Sequence, residues 1–413
     1  MPARPFAKSV VQRLHNAGHT AYFAGGWVRD YLMQHPSDDI DIATSASVAQ
    51  IQALFPKTIP VGVAFGIVIV VEEGHHFEVA TFRKETGHLD GRRPTRIESA
   101  SPEEDAQRRD FTINGMFWDP LTDTLFDYVG GQKDLKKGII CAIGNPHERF
   151  LEDRLRMMRA VRYATRFNFY IEQETTQAIL THSSTLFPAV AIERVWQEFK
   201  KMSHFSHFDR GLVSLHQLNL LPTIFPELKN VSLEEIQERV KPLATFSKEI
   251  PTIAQLLELF PNQSLEQLLQ LCDYLKLARS ELNTVRFLHH GRQLLQMPEE
   301  WQLNLEKIQW AQFYADPHAN ICIAIAAAHH PQATRHHFLT THTQRQHMLA
   351  SAIVRLQTHN PVVRASHLIS ERVKPGEKMG ALLKQAERIS INEGIEDPSA
   401  IIALLKNSPL WNT

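Results

Sequence analysis

The character of this sequence changes near residue 150, and that change limits the folds open to the chain. Before it, β-branched and aromatic runs alternate with glycine-containing turns and helical segments. The predicted strands cover residues 20–25, 39–44, 67–71, 77–82 and 116–118, and the predicted helices 6–16, 28–34 and 48–54. After it, strand signals nearly vanish and helical periodicity dominates, starting with a helix over 151–167. The pattern predicts an α+β fold with a small sheet followed by a helical remainder.

Charge and composition exclude several classes of protein. Lys+Arg 44 against Asp+Glu 45 gives a net charge of −1, so any nucleic-acid binding must depend on local patches. With only 3 scattered cysteines, a disulfide scaffold and a cysteine zinc site are both disfavoured, and a reducing cytoplasm is indicated. The start of the chain lacks the apolar core of a signal peptide. The apolar run over 59–71 contains Gly62 and Gly66 and is too short for a membrane span, so we interpret it as buried strand.

A diglycine turn is the first candidate functional element. Residues 22–30 (Tyr-Phe-Ala-Gly-Gly-Trp-Val-Arg-Asp) predict a strand that runs through Gly25-Gly26 into a helix. Backbone N–H groups at such a helix start can bind phosphate oxygens, and glycine lets the phosphate come close. Arg29, one turn later, could add its charge to a triphosphate. A diglycine is also common in simple turns, so both interpretations stay open here.

Two aspartates follow on the next predicted strand. Side chains at i and i+2 share one face, so Asp39 and Asp41 project together while Ile40 and Ile42 face the core. Adjacent carboxylates repel each other unless a cation lies between them, and Mg²⁺ prefers such oxygen ligands. Glu78, on a neighbouring strand, is the candidate third carboxylate. The alternatives are an exposed polar edge for the aspartates and a solvent-facing edge-strand charge for Glu78.

Two later stretches carry further candidates for nucleotide binding. Arg109, Asp110 and Asn114 fall within one predicted turn at 108–116, where they could hold a triphosphate and ribose hydroxyls. In the helix predicted over 151–167, four polar side chains recur every third residue: Asp153, Arg156, Arg159 and Arg162. Ordinary surface ion pairs give the same spacing.

The first two members of that row could select a base. A carboxylate at position 153 accepts from an exocyclic amine, and a guanidinium at position 156 donates to the adjacent ring nitrogen or carbonyl. Cytosine and adenine present this order, whereas uracil and guanine present the reverse and would leave polar groups unpaired. The spacing therefore predicts acceptance of C and A.

These stretches together resemble the class II tRNA nucleotidyltransferase (CCA-adding enzyme) and bacterial poly(A) polymerase family. Its motifs occur in order at 25–30 (Gly-Gly-Trp-Val-Arg-Asp), 39–44 (Asp-Ile-Asp-Ile-Ala-Thr), 108–114 (Arg-Arg-Asp-Phe-Thr-Ile-Asn), 130–135 (Gly-Gly-Gln-Lys-Asp-Leu) and 152–156 (Glu-Asp-Arg-Leu-Arg), and 192–199 resembles its neck-helix motif. The resemblance implies an N-terminal nucleotidyltransferase head with a small mixed sheet flanked by helices over 1–149. A helical neck over 150–205, a body over 206–345 and a tail over 346–413 would follow, the tail contacting tRNA.

The resemblance also implies roles for individual residues. Asp39 and Asp41 would be catalytic and would bind Mg²⁺. The nucleotide-binding set would be Gly26, Arg29, Arg109, Asp110, Asn114, Asp153, Arg156, Arg159 and Arg162. The implied reaction is template-independent addition of C, C and A to the 3′ end of tRNA from CTP and ATP, with release of pyrophosphate by two-metal phosphoryl transfer. No membrane and no obligate protein partner are expected.

Several alternatives remain open at this point. Within the family, the chain could be a poly(A) polymerase or could add only part of the CCA triplet. The segment 84–101, with Arg92, Arg93 and Arg96, is interpreted as a full-length mobile basic loop, which disfavours partial addition. Residues 361–413 hold seven Lys/Arg and six Asp/Glu, which favours tRNA over polyadenylation. Two hypotheses lie outside the family's function: a small-molecule nucleotidyltransferase and an inactive RNA-binding relative.

The histidine-rich segment 329–347 lies outside these motifs. It lacks the carboxylate-flanked spacing of common metal sites, and we interpret it as a solvated polar segment, with metal binding as the alternative.

Overall fold

The computed structural model describes residues 3–35, 37–62, 65–88 and 94–412. The chain forms two compact units, Met1–Lys241 and Pro242–Thr413, which are described separately below. Arg92 and Arg93 of the predicted basic loop lie outside the described residues.

The first unit contains a mixed sheet. Its strands, with those of two smaller pairs, are β1 (Ala21–Ala24), β2 (Asp41–Thr44), β3 (Thr58–Gly62), β4 (Ile67–Glu72), β5 (His75–Thr81), β6 (Arg83–His88), β7 (Pro94–Ser99), β8 (Phe117–Asp119), β9 (Thr124–Phe126), β10 (Ile139–Ile140) and β11 (Tyr170–Ile171). Seven of them form one sheet in the order β3-β4-β5-β2-β1-β8-β9. The β2–β5 pair is parallel and the other pairs of this sheet are antiparallel. The predicted small mixed sheet is confirmed.

Helices surround this sheet and continue beyond it. They are α1 (Arg4–Asn16), α2 (Gly26–Leu32), α3 (Val48–Leu54), α4 (Pro102–Gln107), α5 (Gly131–Lys137), α6 (Pro146–Glu152), α7 (Leu155–Phe167), α8 (Gln173–His182), α9 (Leu186–Ala189), α10 (Ile192–Met202), α11 (Phe208–Gln217), α12 (Leu220–Ile224) and α13 (Leu233–Val240). Alternating residues of β4 and β5, among them Val68, Val70, Phe77 and Val79, are buried in the same core as the apolar side of α1. Because every second side chain of these strands is buried, the strands can be identified from the sequence.

Two predicted segments of the head differ from the structure. The apolar run over 59–71 is not one strand but the antiparallel pair β3 and β4. In the described residues of the segment 84–101, β6 and β7 pair as the two antiparallel strands of a hairpin, so the interpretation as a loop is wrong there. This pairing places Lys84 opposite Glu98, so the hairpin is built on polar side chains and gives no hydrophobic alternation to detect.

The single helix predicted over 151–167 is also wrong, because the chain breaks between α6 and α7. Asp153 has extended backbone angles (φ −146°, ψ 105°) at the end of α6. Its carboxylate accepts the backbone N–H of Leu155 at 3.0 Å, which satisfies a free donor at the start of α7. Asp153 therefore lies in the connection ahead of the helix that carries Arg156, Arg159 and Arg162.

The second unit is helical throughout its described residues. Its helices are α14 (Thr252–Leu256), α15 (Leu265–Tyr274), α16 (Arg279–Leu295), α17 (Glu299–Leu303), α18 (Lys307–Ala315), α19 (Ala319–His329), α20 (Gln332–Met348), α21 (Ala350–Gln357), α22 (Ala365–Ser370), α23 (Glu377–Glu393), α24 (Pro398–Lys406) and α25 (Pro409–Asn412). In the described part of the chain, every helix is too short or too polar to cross a membrane.

The interpretation of the histidine-rich segment as a solvated polar segment is wrong in part. The segment forms the end of α19 and most of α20, and His342 is buried at 2% exposure, so the segment is only partly solvated. No group of three or more metal-ligating side chains is arranged to hold an ion anywhere in the described ranges.

Candidate active site

The diglycine turn joins the central strand β1 to helix α2. Gly25 has a positive φ of 64°, which glycine adopts without strain. A Cβ at this position would also lie 3.0 Å from Nη1 of Arg109. Both the backbone angle and the close approach of Arg109 therefore favour glycine here.

The carboxylates lie on strands next to this turn. Asp41 begins β2 and is paired with Ala24, the last residue of β1. Glu78 directly precedes Val79 on β5, and Val79 is paired with Ile42. Asp41 and Glu78 thus stand on neighbouring strands at the same level, beside the diglycine turn.

Asp39 lies two residues before β2, not in the strand as predicted. Its side chain is exposed, whereas Ile40 and Ile42 are buried at 3% and 1% exposure. The alternation of exposed and buried side chains therefore begins at Asp39, before the strand itself, as expected if Asp39 and Asp41 lie on one face. The neighbouring Asp38 has a structural contact, because its Oδ1 accepts the backbone N–H of Ala3 at 3.2 Å.

These carboxylates repel one another. Burial, together with the charges of Glu78 and Asp39, raises the pKa of Asp41 to about 6, although Arg109 opposes the shift. A divalent cation would relieve this repulsion, and an oxygen-only donor set suits Mg²⁺. Because the described chain holds no closed cage of three metal-ligating side chains, such an ion would need oxygens from a ligand or water as well.

Arg29 lies beneath the diglycine turn. It is buried at 2% exposure; its Nε donates to Oδ1 of Asp30 at 2.9 Å, and its Nη1 donates to Oδ1 of Asn114. The guanidinium also sits 4.7 Å from the ring centre of Phe167. Arg29 lines the site. Its contacts hold the guanidinium in a fixed position under the turn, where it orients Asn114.

Asp110 links the turn at 112–114 to helix α7. Its Oδ1 accepts Nδ2 of Asn114 at 3.1 Å, and its Oδ2 accepts Nε of Arg159 at 2.8 Å. Burial alone would raise the pKa of Asp110, but Arg159 and Asn114 hold it well below its usual range. Asp110 is therefore a fixed negative charge that orients an amide and a guanidinium.

Arg108 and Arg109 share a carboxylate that the sequence analysis missed. Asp105, 1% exposed, accepts Nη2 of Arg108 through Oδ1 at 2.7 Å and Nη2 of Arg109 through Oδ2 at 3.0 Å. Although burial raises the pKa of Asp105, the two guanidiniums lower it more, and the net shift is downward. The spacing of i, i+3 and i+4 across the end of helix α4 was the available sequence signal.

The two residues predicted to read the base have separate partners. Asp153 accepts from Nη2 of Arg194 at 2.9 Å. Arg156 donates to Oε2 of Glu152 at 2.7 Å and to the backbone carbonyl of Arg108 at 3.2 Å. Each side chain is thus oriented independently, and Arg194 was not identified as a site residue from the sequence.

The remaining arginines of α7 are also paired. Nε of Arg162 donates to Oε2 of Glu198, a residue of α10 that is 2% exposed. Nη2 of Arg166 donates to Oδ2 of Asp30 at 3.0 Å. These pairs join helix α7 to α10 and to α2.

One cavity of about 490 Å³ gathers these groups. The predicted site residues that line it are Gly26, Arg29, Asp41, Glu78, Arg109, Asp110, Asn114, Asp153, Arg156, Arg159 and Arg162. Asp39 is not in its wall. Residues that line it without having been predicted are Arg83, Arg108, Tyr163, Arg166 and Arg194, among others. Of the described residues, nine arginines and four carboxylates line the cavity, so it is strongly cationic in a chain of net charge −1.

Comparison with known proteins gives consistent matches. A family model described as the poly A polymerase head domain matches residues 21–141, and one described as the probable RNA and SrmB-binding site of polymerase A matches 168–231. A protein of Pediococcus pentosaceus named CCA-adding enzyme is 35% identical over 404 residues, which are 97% of this chain and 96% of that protein.

Two solved structures share the architecture. The Bacillus stearothermophilus CCA-adding enzyme in complex with CTP superposes with a TM-score of 0.78 at 27% identity, over 98% of this chain and 97% of that one. The Thermotoga maritima CCA-adding enzyme complexed with tRNA superposes with a TM-score of 0.68 at 19% identity, over 96% and 93% of the two chains, a likeness of fold.

Proposed function

This chain belongs to the family of CCA-adding enzymes and is a nucleotidyltransferase, and from that premise we propose that it adds C, C and A to the 3′ end of tRNA. CTP and ATP would be the nucleotide donors, pyrophosphate the leaving group and the cytoplasm the place of action. The single observation that carries the proposal is the cationic cavity. It holds carboxylates beside a diglycine turn at one end and the Asp153 and Arg156 side chains within the same wall.

The carboxylates are the proposed metal ligands. Asp39 and Asp41 would hold Mg²⁺, with Glu78 as a third oxygen donor, and the mutual repulsion that raises the pKa of Asp41 supports this assignment. When bound, divalent ions supply Lewis-acid chemistry: they lower the pKa of an attacking hydroxyl and neutralise phosphate charge. The chain contributes the fixed spacing of these acids beside the turn.

The arginines around the turn would bind the triphosphate. Arg109 reaches the turn and is held by Asp105, so its charge is in place before a nucleotide arrives. Arg29 supports the turn from beneath and orients Asn114, which with Asp110 would face the ribose. Such fixed donors bind developing negative charge without reorganising, and this positioning is the main catalytic contribution that we assign to the protein.

The base would be selected at the break between α6 and α7. There, Asp153 would accept from the exocyclic amine of C or A, and Arg156 would donate to the neighbouring ring acceptor. UTP and GTP present the opposite order, so that an acceptor would face Asp153 and a donor would face Arg156. Arg159 and Arg162 would complete this part of the nucleotide pocket. For the tRNA itself, we propose contacts to the tail over residues 346–413.

The test is a product assay on two RNAs. A tRNA that ends before CCA is incubated with CTP, with ATP, and with both, beside an unstructured RNA with ATP alone. The proposal predicts two residues added with CTP and three with both nucleotides, and no extension of the unstructured RNA. Long A-tails on the unstructured RNA would instead identify a poly(A) polymerase, and addition that stops at C with both nucleotides would identify a partial enzyme.

A further inference from the structure

A second cavity lies wholly within the Pro242–Thr413 unit. It has a volume of about 830 Å³, within the ~300–1,000 Å³ typical of small-molecule sites. Its walls come from helices α14, α15, α16, α19 and α20 and the segments next to them. None of the residues proposed above for nucleotide addition lines it.

One wall is a ladder of aromatic rings. The ring of His330 stacks on Phe338 at a centroid distance of 4.4 Å, and Phe338 contacts His342 edge-on at 4.6 Å. Outside the cavity lining, the His342 ring contacts Trp310 at a centroid distance of 5.7 Å, and the guanidinium of Arg345 lies 3.9 Å from the Trp310 ring centre. A flat apolar molecule would find both ring faces and ring edges along this wall.

The charged groups of the cavity are unequally satisfied. Arg292 and His329 line the cavity, and both are paired with the carboxylate of Glu258, which is 3% exposed; Nε2 of His329 lies 2.7 Å from it. Arg345 differs: its side chain is hydrogen-bonded with Tyr314, but its buried Nη1 finds no hydrogen-bond partner among the described residues. A buried donor left unpaired is costly, so an acceptor at this position would stabilise the unit.

The neighbouring imidazole does not supply that acceptor. Nδ1 of His342 is 2.7 Å from the hydroxyl of Tyr314, so this nitrogen already has a partner. Burial lowers the pKa of His342 to about 4, with Arg345 and His330 adding to the shift, so the ring is neutral at pH 7. The charge of Arg345 is therefore not balanced by this ring.

We propose that this cavity binds a small organic anion with a flat aromatic body. The acidic head would accept from Nη1 of Arg345, and the ring would lie against the Phe338 and His342 side chains. An ionised acceptor on a guanidinium forms the stronger class of hydrogen bond, and the apolar wall contributes burial of the ring. This site is separate from nucleotide addition, and the two can be tested independently.

A pair of matched fluorescent probes tests the proposal on the full-length chain. Anilinonaphthalene sulfonate carries an aromatic body and an acidic head, and phenylnaphthylamine is its neutral counterpart. We expect the sulfonate to bind saturably, one molecule per chain, and about tenfold or more tighter than the neutral probe. Equal affinity of the two probes, or no saturable binding of the sulfonate, would overturn the proposal.

Variants locate the binding. Arg345→Met should abolish the preference for the sulfonate, whereas Arg279→Met, at an exposed position of α16, should retain it. Ala326→Trp, in the cavity wall, should weaken both probes by about tenfold or more because the added ring fills the space. If circular dichroism shows that Arg345→Met does not fold, the Ala326→Trp variant alone tests whether the probes bind in this cavity. A sulfonate preference that persists in Arg345→Met, or unchanged binding in Ala326→Trp, would contradict the assignment.

Discussion

The cationic cavity beside the diglycine turn and the aromatic-lined cavity at Arg345 differ in how their charged groups are paired. In the Met1–Lys241 unit, the guanidiniums that line the wall are paired with carboxylates or carbonyls, as Arg109 is with Asp105. In the Pro242–Thr413 unit, rings and apolar side chains form the wall, and Arg345 has a buried nitrogen without a partner. The first arrangement fixes charges in advance of a polyanionic substrate, which suits phosphoryl transfer. The second suits an apolar ligand with a single anionic group.

The largest effect is expected from removing a charge at the carboxylate cluster. Asp41→Asn should lower nucleotide incorporation by about a thousandfold or more, because the proposed metal ligand is lost while the fold is kept. Single-turnover addition of labelled CTP to tRNA measures this. Asp38→Asn is the matched control and should retain activity, since the carboxylate of Asp38 bonds the backbone N–H of Ala3 and does not line the cavity. Comparable activity of the two variants would refute the role of Asp41.

A smaller loss of activity should follow from removing the carboxylate that holds two arginines of the cavity in place. Asp105→Asn leaves Arg108 and Arg109 without their shared charge, so kcat/KM for CTP should fall by about a hundredfold. The melting temperature should also fall, because breaking a buried pair costs on the order of 3 kcal/mol. Glu104→Gln, at an exposed neighbouring position, should change both by little. Full activity of Asp105→Asn would mean that the paired charges are not what prepares this cavity.

Base selection should respond to Arg194, which acts through another residue. Arg194→Met frees Asp153, so the preference for CTP over UTP should fall by about tenfold or more, with a smaller change in the rate with CTP. Competing incorporation of the two nucleotides gives the ratio, and Glu193→Gln is the control on the same helix. An unchanged ratio would show that Asp153 is oriented without Arg194.

The smallest expected effect is on how the stability of the Pro242–Thr413 unit depends on pH, through a histidine that lines the second cavity. Since the pKa of His342 is about 4 in the folded unit against 6.5 as its ordinary value, the unfolded chain binds more protons between these values. Stability should therefore fall as the pH drops from about 6.5 to about 4, by on the order of 2 kcal/mol.

Thermal unfolding across this pH range tests the point. His342→Phe should flatten the decline, and His347→Phe, exposed on the same helix, should not. The same pH dependence in wild type and His342→Phe would rule His342 out as the source.

The same contrast explains what could be predicted from the sequence. The diglycine turn, the alternation around Asp41 and the row of arginines in α7 are local patterns, and the structure places all of them as neighbours of one cavity. The polar hairpin β6–β7 and the break at Asp153 were missed. A hydrophobic period cannot detect the first, and the second depends on one carboxylate capping the next helix.

The partners of the site residues were the least predictable part. Arg194 meets Asp153, and Glu198 meets Arg162, across separate helices, so no sequence spacing links them. The second cavity was missed for a related reason. The histidines of α20 read as polar, yet tertiary packing buries His342 against Tyr314 and Trp310.

A crystal structure with Mn²⁺ and CTP bound tests the central assignment most directly. The account predicts an anomalous Mn²⁺ peak between the carboxylates of Asp39 and Asp41, CTP phosphates at the Gly25-Gly26 turn, and the cytosine edge on Asp153 and Arg156. A metal peak distant from both aspartates, or CTP bound outside this cavity, would contradict it.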